Sequence, residues 1–462
     1  MVAWNKENAK HLLSRALFGY SRSNLDKALS YRSVAEFVSK ELLADKALPT
    51  APGTWITEIP IANDPNQGTR YRDFTYWWYE LMRKEELGMR EKMVLFWHNH
   101  YVSQRSKVTY PQHMYIQNDL FRKNAFGNFK DLTKAVAIDP AMLIYLDGQQ
   151  NNGKSVPNEN FARELMELFT LGVGNYTEND VKQAAKAVSG WQLNGLTPAF
   201  NAGRWPSENK TFLGQTGNYK QDDIVNIIFT KDATSVFLCT KLFKEFAYYQ
   251  PDTVFVNKMA KVLRDNQFNI KPVLQYMFTA DEFYNAQYKG AKIKTPTELM
   301  ISGLKMFDVN TVKTDDLSYI YDVGRSLQQQ LLEPPNVAGW PGQREWISSN
   351  TYPQRNGYTD AILFGKSYNG RVLSFKVDPI SFARSYNTKA LGDLSEDALK
   401  LVEQISDTFF QIGISAKKKD FLLQTMLDGT IISNWSTFTP MADARIQKLL
   451  KAVMRSPEFQ LC

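Results

Sequence analysis

The chain has 462 residues, 43% of them hydrophobic and 22% charged, a balance typical of a folded globular protein rather than a disordered one. Its two cysteines, Cys239 and Cys462, provide neither a disulfide framework nor a CxxC metal pair. The net charge is +7, but the lysines and arginines are dispersed among nearly as many acidic residues. Without a basic stripe we expect no nucleic-acid partner, and the positive charge fits either a solvated surface or an anionic ligand.

The sequence pattern predicts neither a membrane span nor an export signal. No stretch approaches 18 uninterrupted apolar residues, so we predict no transmembrane segment. The first residues, Met-Val-Ala-Trp-Asn-Lys, lack the apolar core of a secretory signal, so we expect no signal peptide in this chain. An export signal removed before residue 1 would leave the same pattern.

Helical patterns follow one another along most of the chain. Apolar residues at helical spacing predict helices at 8–17 and through much of 71–101. Pro111 suits the first turn of the next helix, because a helix start leaves its N–H groups unpaired and proline has none. Thr177 with Asp180 three positions later is a capping-box pattern that begins another helix. We find no clear strand alternation, no glycine-rich nucleotide loop and no repeat.

The predicted fold class is therefore mainly α. We expect a large multi-helix globular bundle with long Pro/Gly-rich loops and at most a small β hairpin, near 204–212. The whole chain, 1–462, is predicted to form one helical unit. Within it, 1–192 and 223–462 are candidate subdomains joined by the Gly/Pro/Asn-rich loop 193–222.

The sharpest local pattern lies at 157–172. Asn158 is a good N-cap, and Gly172 is a good terminator because glycine enters the left-handed conformation without a Cβ penalty. With about 100° per residue, the apolar residues gather on one side of this helix. The other side carries three carboxylates around one guanidinium, a set that we call the carboxylate face: Glu159, Arg163, Glu164 and Glu167.

Two interpretations of the carboxylate face are open. Neighbouring carboxylates push each other's pKa values apart, so Glu159, Glu164 and Glu167 could supply a general acid and a general base. Arg163 lies one helical turn from both Glu159 and Glu167, so it could orient either one or hold an anionic substrate. The alternative is simple pairing of charges on a solvated surface.

Three of the four histidines lie within sixteen residues: His98, His100 and His113. If residues 98–100 are helical, the His98 and His100 rings point about 200° apart and cannot share a metal ion, whereas in an extended segment they point the same way. In the extended case His98, His100 and Glu167 could bind a divalent zinc, iron or manganese ion. Otherwise the two histidines hydrogen-bond buried backbone where the helix ends.

Several phrases carry a family resemblance: His-Leu-Leu-Ser-Arg-Ala from His11, Phe-Trp-His-Asn-His-Tyr-Val-Ser from Phe96, Leu-Asp-Gly from Leu146, the whole of 157–172, Gly-Trp from Gly190, and Pro-Pro-Asn-Val-Ala-Gly-Trp from Pro334. Through them the chain resembles domain of unknown function 1800, a bacterial family without settled chemistry, over nearly its whole length. The resemblance implies an exported protein, periplasmic or extracellular, that works beside a sulfatase-like partner protein.

The same phrases contain four candidate binding residues: Arg15, Asp147, Trp191 and Trp340. Trp191 and Trp340 lie beside glycine in predicted loops, where they could stack on a polysaccharide or peptide ligand or instead anchor the loop to the core. Asp147 precedes Gly148, so a turn or cap role is the alternative to ligand binding.

Two functional hypotheses follow. The first is an exported, enzyme-like protein whose pocket gathers the carboxylate face with His98 and His100. It would carry out acid–base or metal-assisted hydrolysis or lysis of an envelope or extracellular polymer. The second is a non-catalytic scaffold that binds a glycan or the partner protein. The observation that separates them is whether His98, His100 and the carboxylate face line one cavity.

Overall fold

The computed structural model describes residues 2–309, 312–386 and 397–462. These residues form 21 α-helices and three small two-stranded antiparallel sheets. The predicted fold class, mainly α with many helices, is confirmed. Among the described residues no helix is long and apolar enough to cross a lipid bilayer.

Ten α-helices precede the first strand: α1 (Lys6–Ala16), α2 (Arg22–Leu29), α3 (Val34–Phe37), α4 (Gln67–Lys84), α5 (Arg90–His100), α6 (Pro111–Lys123), α7 (Phe129–Ala137), α8 (Pro140–Tyr145), α9 (Asn160–Glu164) and α10 (Glu178–Ala187). Eleven more follow the second hairpin: α11 (Gln221–Ile228), α12 (Asp232–Phe246), α13 (Thr253–Asp265), α14 (Ile270–Thr279), α15 (Pro296–Met306), α16 (Thr314–Ser326), α17 (Thr351–Phe364), α18 (Pro379–Arg384), α19 (Ala398–Phe409), α20 (Ala416–Leu427) and α21 (Ala442–Met454). Two helices begin at residues that the sequence indicated. Pro111 occupies the first turn of α6, and Thr177 forms the capping box of α10 with Asp180, both as predicted.

The β structure consists of three hairpins, where the sequence predicted at most one: β1 (Trp191–Asn194) with β2 (Thr197–Phe200), β3 (Lys210–Phe212) with β4 (Gln215–Gly217), and β5 (Ser367–Tyr368) with β6 (Arg371–Val372). The second hairpin turns at Leu213 and Gly214, and the third at Asn369 and Gly370, all with positive φ. Two successive residues with positive φ make the turn whose twist matches paired strands. The Asn-Gly pair at 369–370 was a readable hairpin signal.

The segment 157–172 is helical but not a regular α-helix. α9 begins at Asn160 after Glu159, and Asn158 accepts the Asn160 N–H through its side chain at 2.9 Å. From Leu165 to Thr170 the chain continues as a π-helix, in which hydrogen bonds span five residues rather than four. Gly172 ends the segment with φ of +79°. A π-turn changes the angular spacing of its residues and leaves carbonyls available to donors from elsewhere.

Aromatic packing ties α5 to both halves of the chain. Trp97 on α5 is fully buried and stacks on Phe129 of α7 at a ring distance of 5.9 Å. Phe129 in turn contacts Phe229, just after α11, at 5.1 Å. α5 therefore lies in the core, and its C-terminal end carries His98, Asn99 and His100 to the contact between 1–192 and 223–462. Their division into subdomains stays a prediction.

Candidate functional site

A cavity of about 480 Å³ lies between the end of α5, α12 and the loop that follows α16. This volume lies within the range of sites that hold small ligands. Its wall combines four lysines with four large aromatic side chains and a single carboxylate: Lys92, Lys241, Lys244, Lys292, Phe96, Tyr249, Trp340, Trp346 and Glu245. We call it the lysine cavity.

The aromatic wall of the lysine cavity lies where two of the sequence segments that carry the family resemblance contact each other. Asn99 on α5 accepts the backbone N–H of Trp340 through Oδ1 at 2.7 Å. Gly339, with φ of +87°, passes so close that a Cβ would lie 2.3 Å from the same Asn99 oxygen. Trp340 is thereby held beside His98, with 5.8 Å between the ring centroids. Its buried Nε1–H has no hydrogen-bond partner among the described residues.

Two of the lysines belong to a buried ion-pair network. Lys92 and Lys292 both contact Glu298 Oε1, the latter at 3.1 Å, and Lys292 lies 3.3 Å from Glu245 Oε1. Burial alone would raise the pKa of Glu298, but Lys292 and Lys92 hold it well below its usual value. Burial alone would lower the pKa of Lys292, but Glu245 and Glu298 raise it above its usual value. Glu298 and Lys292 are therefore both ionised near neutral pH.

Lys241 has a different environment. Its Nζ donates to the carbonyl of Leu168 at 2.8 Å and lies 5.0 Å from the ring centroid of Phe237. In the described chain no carboxylate pairs with it. Burial and the neighbouring charge of Lys244 lower the pKa of Lys241 to about 8. This amine is therefore partly neutral near physiological pH.

The cavity wall carries an excess of positive charge. Its four lysines face one lining carboxylate, Glu245, and Glu298 adds a second charge behind Lys92 and Lys292. With Lys241 neutral, three cations still exceed two anions. A cavity with one sign of charge and low-dielectric walls attracts ligands of the opposite sign.

His98 and His100 are helical, so the structure supports the arrangement in which their rings point apart. His98 contacts Trp78 edge-on at 5.6 Å, and burial lowers its pKa to about 3. His100 lines the lysine cavity, and its Nε2 lies 3.0 Å from the Phe169 carbonyl in the π-helix. Burial, with Lys241 nearby, lowers the pKa of His100 well below its usual value. Both rings are therefore neutral near pH 7.

The carboxylate face lies partly exposed on the signature segment. Arg163 forms ion pairs with Glu159 at 3.1 Å and with Glu178 at 2.7 Å. The pairing with Glu178 was not predicted, because Glu178 lies in the next helix, at the start of α10. Glu167 accepts the Tyr176 hydroxyl at 2.7 Å. Burial, and then the charge of Glu167, raises the pKa of Glu164.

No hydrogen bond or ion pair between described residues joins either histidine to the carboxylate face. Likewise, the described part of the chain contains no group of three or more His, Cys, Asp or Glu side chains placed to hold a metal ion. The combined His98, His100 and Glu167 site stays a prediction. What the structure brings to the lysine cavity from the predicted set is His100 and Trp340.

The other candidate binding residues lie elsewhere. Arg15 is fully buried and bonds the Tyr288 carbonyl, and its Nε and Nη1 have no partner in the described chain. Asp147, with φ of +57°, accepts from Lys107 at 3.0 Å and from Asn160 at 3.3 Å. Trp191 lies on β1 and contacts Phe200 edge-on at 5.4 Å. None of the three lines the lysine cavity.

The lysines were not singled out in the sequence because their partners are distant. Thr295 with Glu298 is a readable capping box, and the structure contains it at the start of α15. Glu298 nevertheless pairs with Lys92, which is 206 positions away. The sequence therefore contains a local pattern that predicts the helix cap, but no local pattern that predicts the lysine cavity.

Comparison with known proteins identifies a family. The family model described as protein of unknown function (DUF1800) matches residues 11–461. No curated protein and no solved structure matches the chain. The phrases that meet at the lysine cavity, from α5 and from the loop with Gly339 and Trp340, lie inside the matched range. The chain belongs to the DUF1800 family.

Proposed function

We propose that the protein binds an anionic saccharide in the lysine cavity. The observation that carries the proposal is the excess of lysines beside Trp340, Trp346 and Tyr249. Aromatic rings pack on the apolar faces of sugars, and ammonium groups pair with carboxylate or sulfate substituents. This corresponds to the second functional hypothesis, a glycan-binding scaffold.

The family resemblance adds a setting to this proposal. The resemblance implies an exported protein that works beside a sulfatase-like partner protein, so the ligand that we propose is a sulfated or uronic-acid glycan in the periplasm or outside the cell. The partner would act on the same glycan. Mixing the purified proteins and measuring co-elution with and without the glycan tests that part separately.

Calorimetric titration tests the binding. We expect trimers of galacturonate and sulfated disaccharides to bind at least about ten-fold more tightly than neutral cellotriose, with affinity falling as salt rises, because exposed ionic contacts are screened. Lys244→Gln, which removes one exposed cavity charge, should weaken binding about two- to five-fold. Lys182→Gln, the same change at an exposed site outside the cavity, should have no effect. Equal affinity for neutral and anionic sugars would contradict the proposal.

Acid–base chemistry at the carboxylate face is a second candidate function. The raised pKa of Glu164 beside Glu167 is the observation in its favour, because a general acid works best when its pKa is shifted toward the working pH. Hydrolysis or lysis of the bound polymer would appear as new chain ends in a reducing-sugar assay. Loss of that activity in Glu164→Gln, with binding in the lysine cavity unchanged, is the expected result. Added zinc, iron or manganese in the same assay tests the metal prediction.

A further inference from the structure

The four lysines of the cavity do not have equivalent partners. Lys92 and Lys292 both pair with Glu298, and Lys292 also pairs with Glu245. Among the described residues the hydrogen-bond partner of Lys241 is the Leu168 carbonyl, at 2.8 Å, and no carboxylate pairs with it. A neutral amine can donate one N–H to that carbonyl and still present its lone pair.

The groups around Lys241 favour that neutral form. Burial disfavours the charged ammonium of Lys241, and the positive charge of Lys244 disfavours it further. The ring of His100 lies close by, but its Nε2 contacts the Phe169 carbonyl. An amine activated by burial and by a neighbouring cation is the arrangement that makes a lysine nucleophilic.

We propose that Lys241 Nζ forms an imine with an anionic aldehyde or ketone bound in the lysine cavity. This inference deepens the proposed function, because the other lysines would hold the anionic group while Lys241 meets the carbonyl. The open-chain form of an acidic sugar is a compound of this class. Lys241 would then be a catalytic or covalent-capture residue in addition to lining the cavity.

The step balances without an oxidant or a reductant. The lone pair of Nζ attacks the carbonyl carbon, a C–N bond forms, and the carbonyl oxygen takes up a proton to give a carbinolamine. The nitrogen then loses one proton and the hydroxyl oxygen takes up a second, so that the C–O bond breaks and water leaves as the C=N bond forms. Loss of the remaining proton from nitrogen gives the neutral imine. Hydrolysis reverses the step and regenerates the amine.

Reductive trapping tests the inference. The full chain is incubated near pH 8 with para-carboxybenzaldehyde and cyanoborohydride, which converts an imine to a stable secondary amine that peptide mass spectrometry locates. At this pH about half of an amine with a pKa near 8 is neutral, against less than about 1% of an ordinary lysine. We therefore expect labelling of Lys241 at least about ten-fold faster than of any other lysine.

Three comparisons test whether the labelling depends on the Lys241 amine and on the anion site. The neutral para-methylbenzaldehyde should label Lys241 more slowly, para-(hydroxymethyl)benzoate should protect it, and Lys241→Arg should remove the fast label. Lys182→Gln should be labelled at Lys241 like the wild type.

The two proposals fail in different ways. Binding of para-(hydroxymethyl)benzoate with labelling spread evenly over surface lysines, or concentrated on Lys244, would overturn the imine and leave the anion site in place. Fast labelling of Lys241 by charged and neutral aldehydes alike, without binding of the benzoate, would support the nucleophile and contradict the anion site. If Lys241→Arg does not fold, protection of the wild type by the benzoate still decides the question.

Discussion

Glu298 shows how one side chain determines the charge state of its neighbours. Its Oε2 accepts the Thr295 N–H at 2.7 Å in the capping box of α15, while Oε1 contacts Lys92 and Lys292. All three ionised groups are buried. Because each charge is stabilised by the others, loss of the carboxylate leaves two cations in a medium that solvates them poorly.

We therefore expect Glu298→Gln to lower the free energy of unfolding by about 3–5 kcal/mol. Urea denaturation followed by tryptophan fluorescence measures the change. Glu282→Gln is the matched control, since Glu282 pairs with Lys258 at 2.7 Å on the exposed surface, where such pairs contribute less than about 1 kcal/mol. Equal losses in the two variants would show that Lys92 and Lys292 do not depend on Glu298.

His98 links stability to pH. Its pKa is lowered by burial to about 3 in the folded protein, while in the unfolded chain it returns to about 6.5. Below pH 6.5 the unfolded state therefore binds a proton at His98 that the folded state does not bind. The free energy of unfolding consequently falls as the pH decreases from 6.5 toward 3.

The expected contribution of His98 is about 1.4 kcal/mol per pH unit in that window. His98→Phe keeps a ring between Trp78 and Trp340 and removes the titration, so its unfolding free energy should decline less between pH 6.5 and pH 5, by about 2 kcal/mol. His11 and His100 remain in both proteins, so the comparison isolates one group. Identical pH slopes would mean that the His98 ring is hydrated.

At the scale of elements, the junction of α5 with the loop carrying Trp340 depends on a glycine. Gly339 has positive φ, and a Cβ there would meet Asn99 Oδ1 at 2.3 Å and Asn99 O at 2.7 Å. Gly370, between β5 and β6, also has positive φ but has nothing within 4 Å. Substituting alanine at each position therefore distinguishes the destabilisation caused by backbone strain from the destabilisation caused by the close approach to Asn99.

We expect Gly370→Ala to lower the free energy of unfolding by about 1 kcal/mol and Gly339→Ala by about 2–4 kcal/mol, because the second adds displacement of Asn99 to the strain. Only Gly339→Ala should also weaken the binding of an anionic saccharide, since Trp340 follows it in the cavity wall. Urea denaturation and calorimetric titration of both variants measure these effects. Unchanged binding in Gly339→Ala would indicate that Trp340 does not contact the ligand.

The π-helix at Leu165–Thr170 is an element that the sequence did not reveal. Its carbonyls at Leu168 and Phe169 are bonded by Lys241 from α12 and by His100 from α5. Both partners are distant in sequence, so a helical wheel drawn from local spacing alone cannot anticipate them. The wheel placed the apolar and charged sides of the segment correctly but could not show what lies behind the apolar side.

At the scale of the whole molecule, several buried contacts join the two halves. Lys92 pairs with Glu298, His11 Nε2 lies 3.1 Å from the Phe283 carbonyl, and Phe129 packs on Phe229. We therefore expect one cooperative unfolding transition, with fluorescence and circular dichroism curves that coincide. Two separated transitions, only one of them shifted by Glu298→Gln, would instead support independent subdomains at 1–192 and 223–462.

The sequence by itself determined the mainly α fold, the family and many of the helix starts. The capping box of Thr177 and Asp180 and the place of Pro111 depend on residues within one turn, so short patterns suffice. The charged composition of the segment 157–172 was also readable, although its pairing with Glu178 was not.

Only the tertiary structure decided which side chains share a cavity. Lys92, Lys241 and Lys292 come from α5, α12 and the segment before α15, and their amines converge because the helices pack through apolar contacts that carry no information about charge. The same packing buried His98 and His100 as neutral rings and gave Lys241 a carbonyl in place of a carboxylate. Burial and long-range pairing set these properties, and neither is a function of neighbouring sequence.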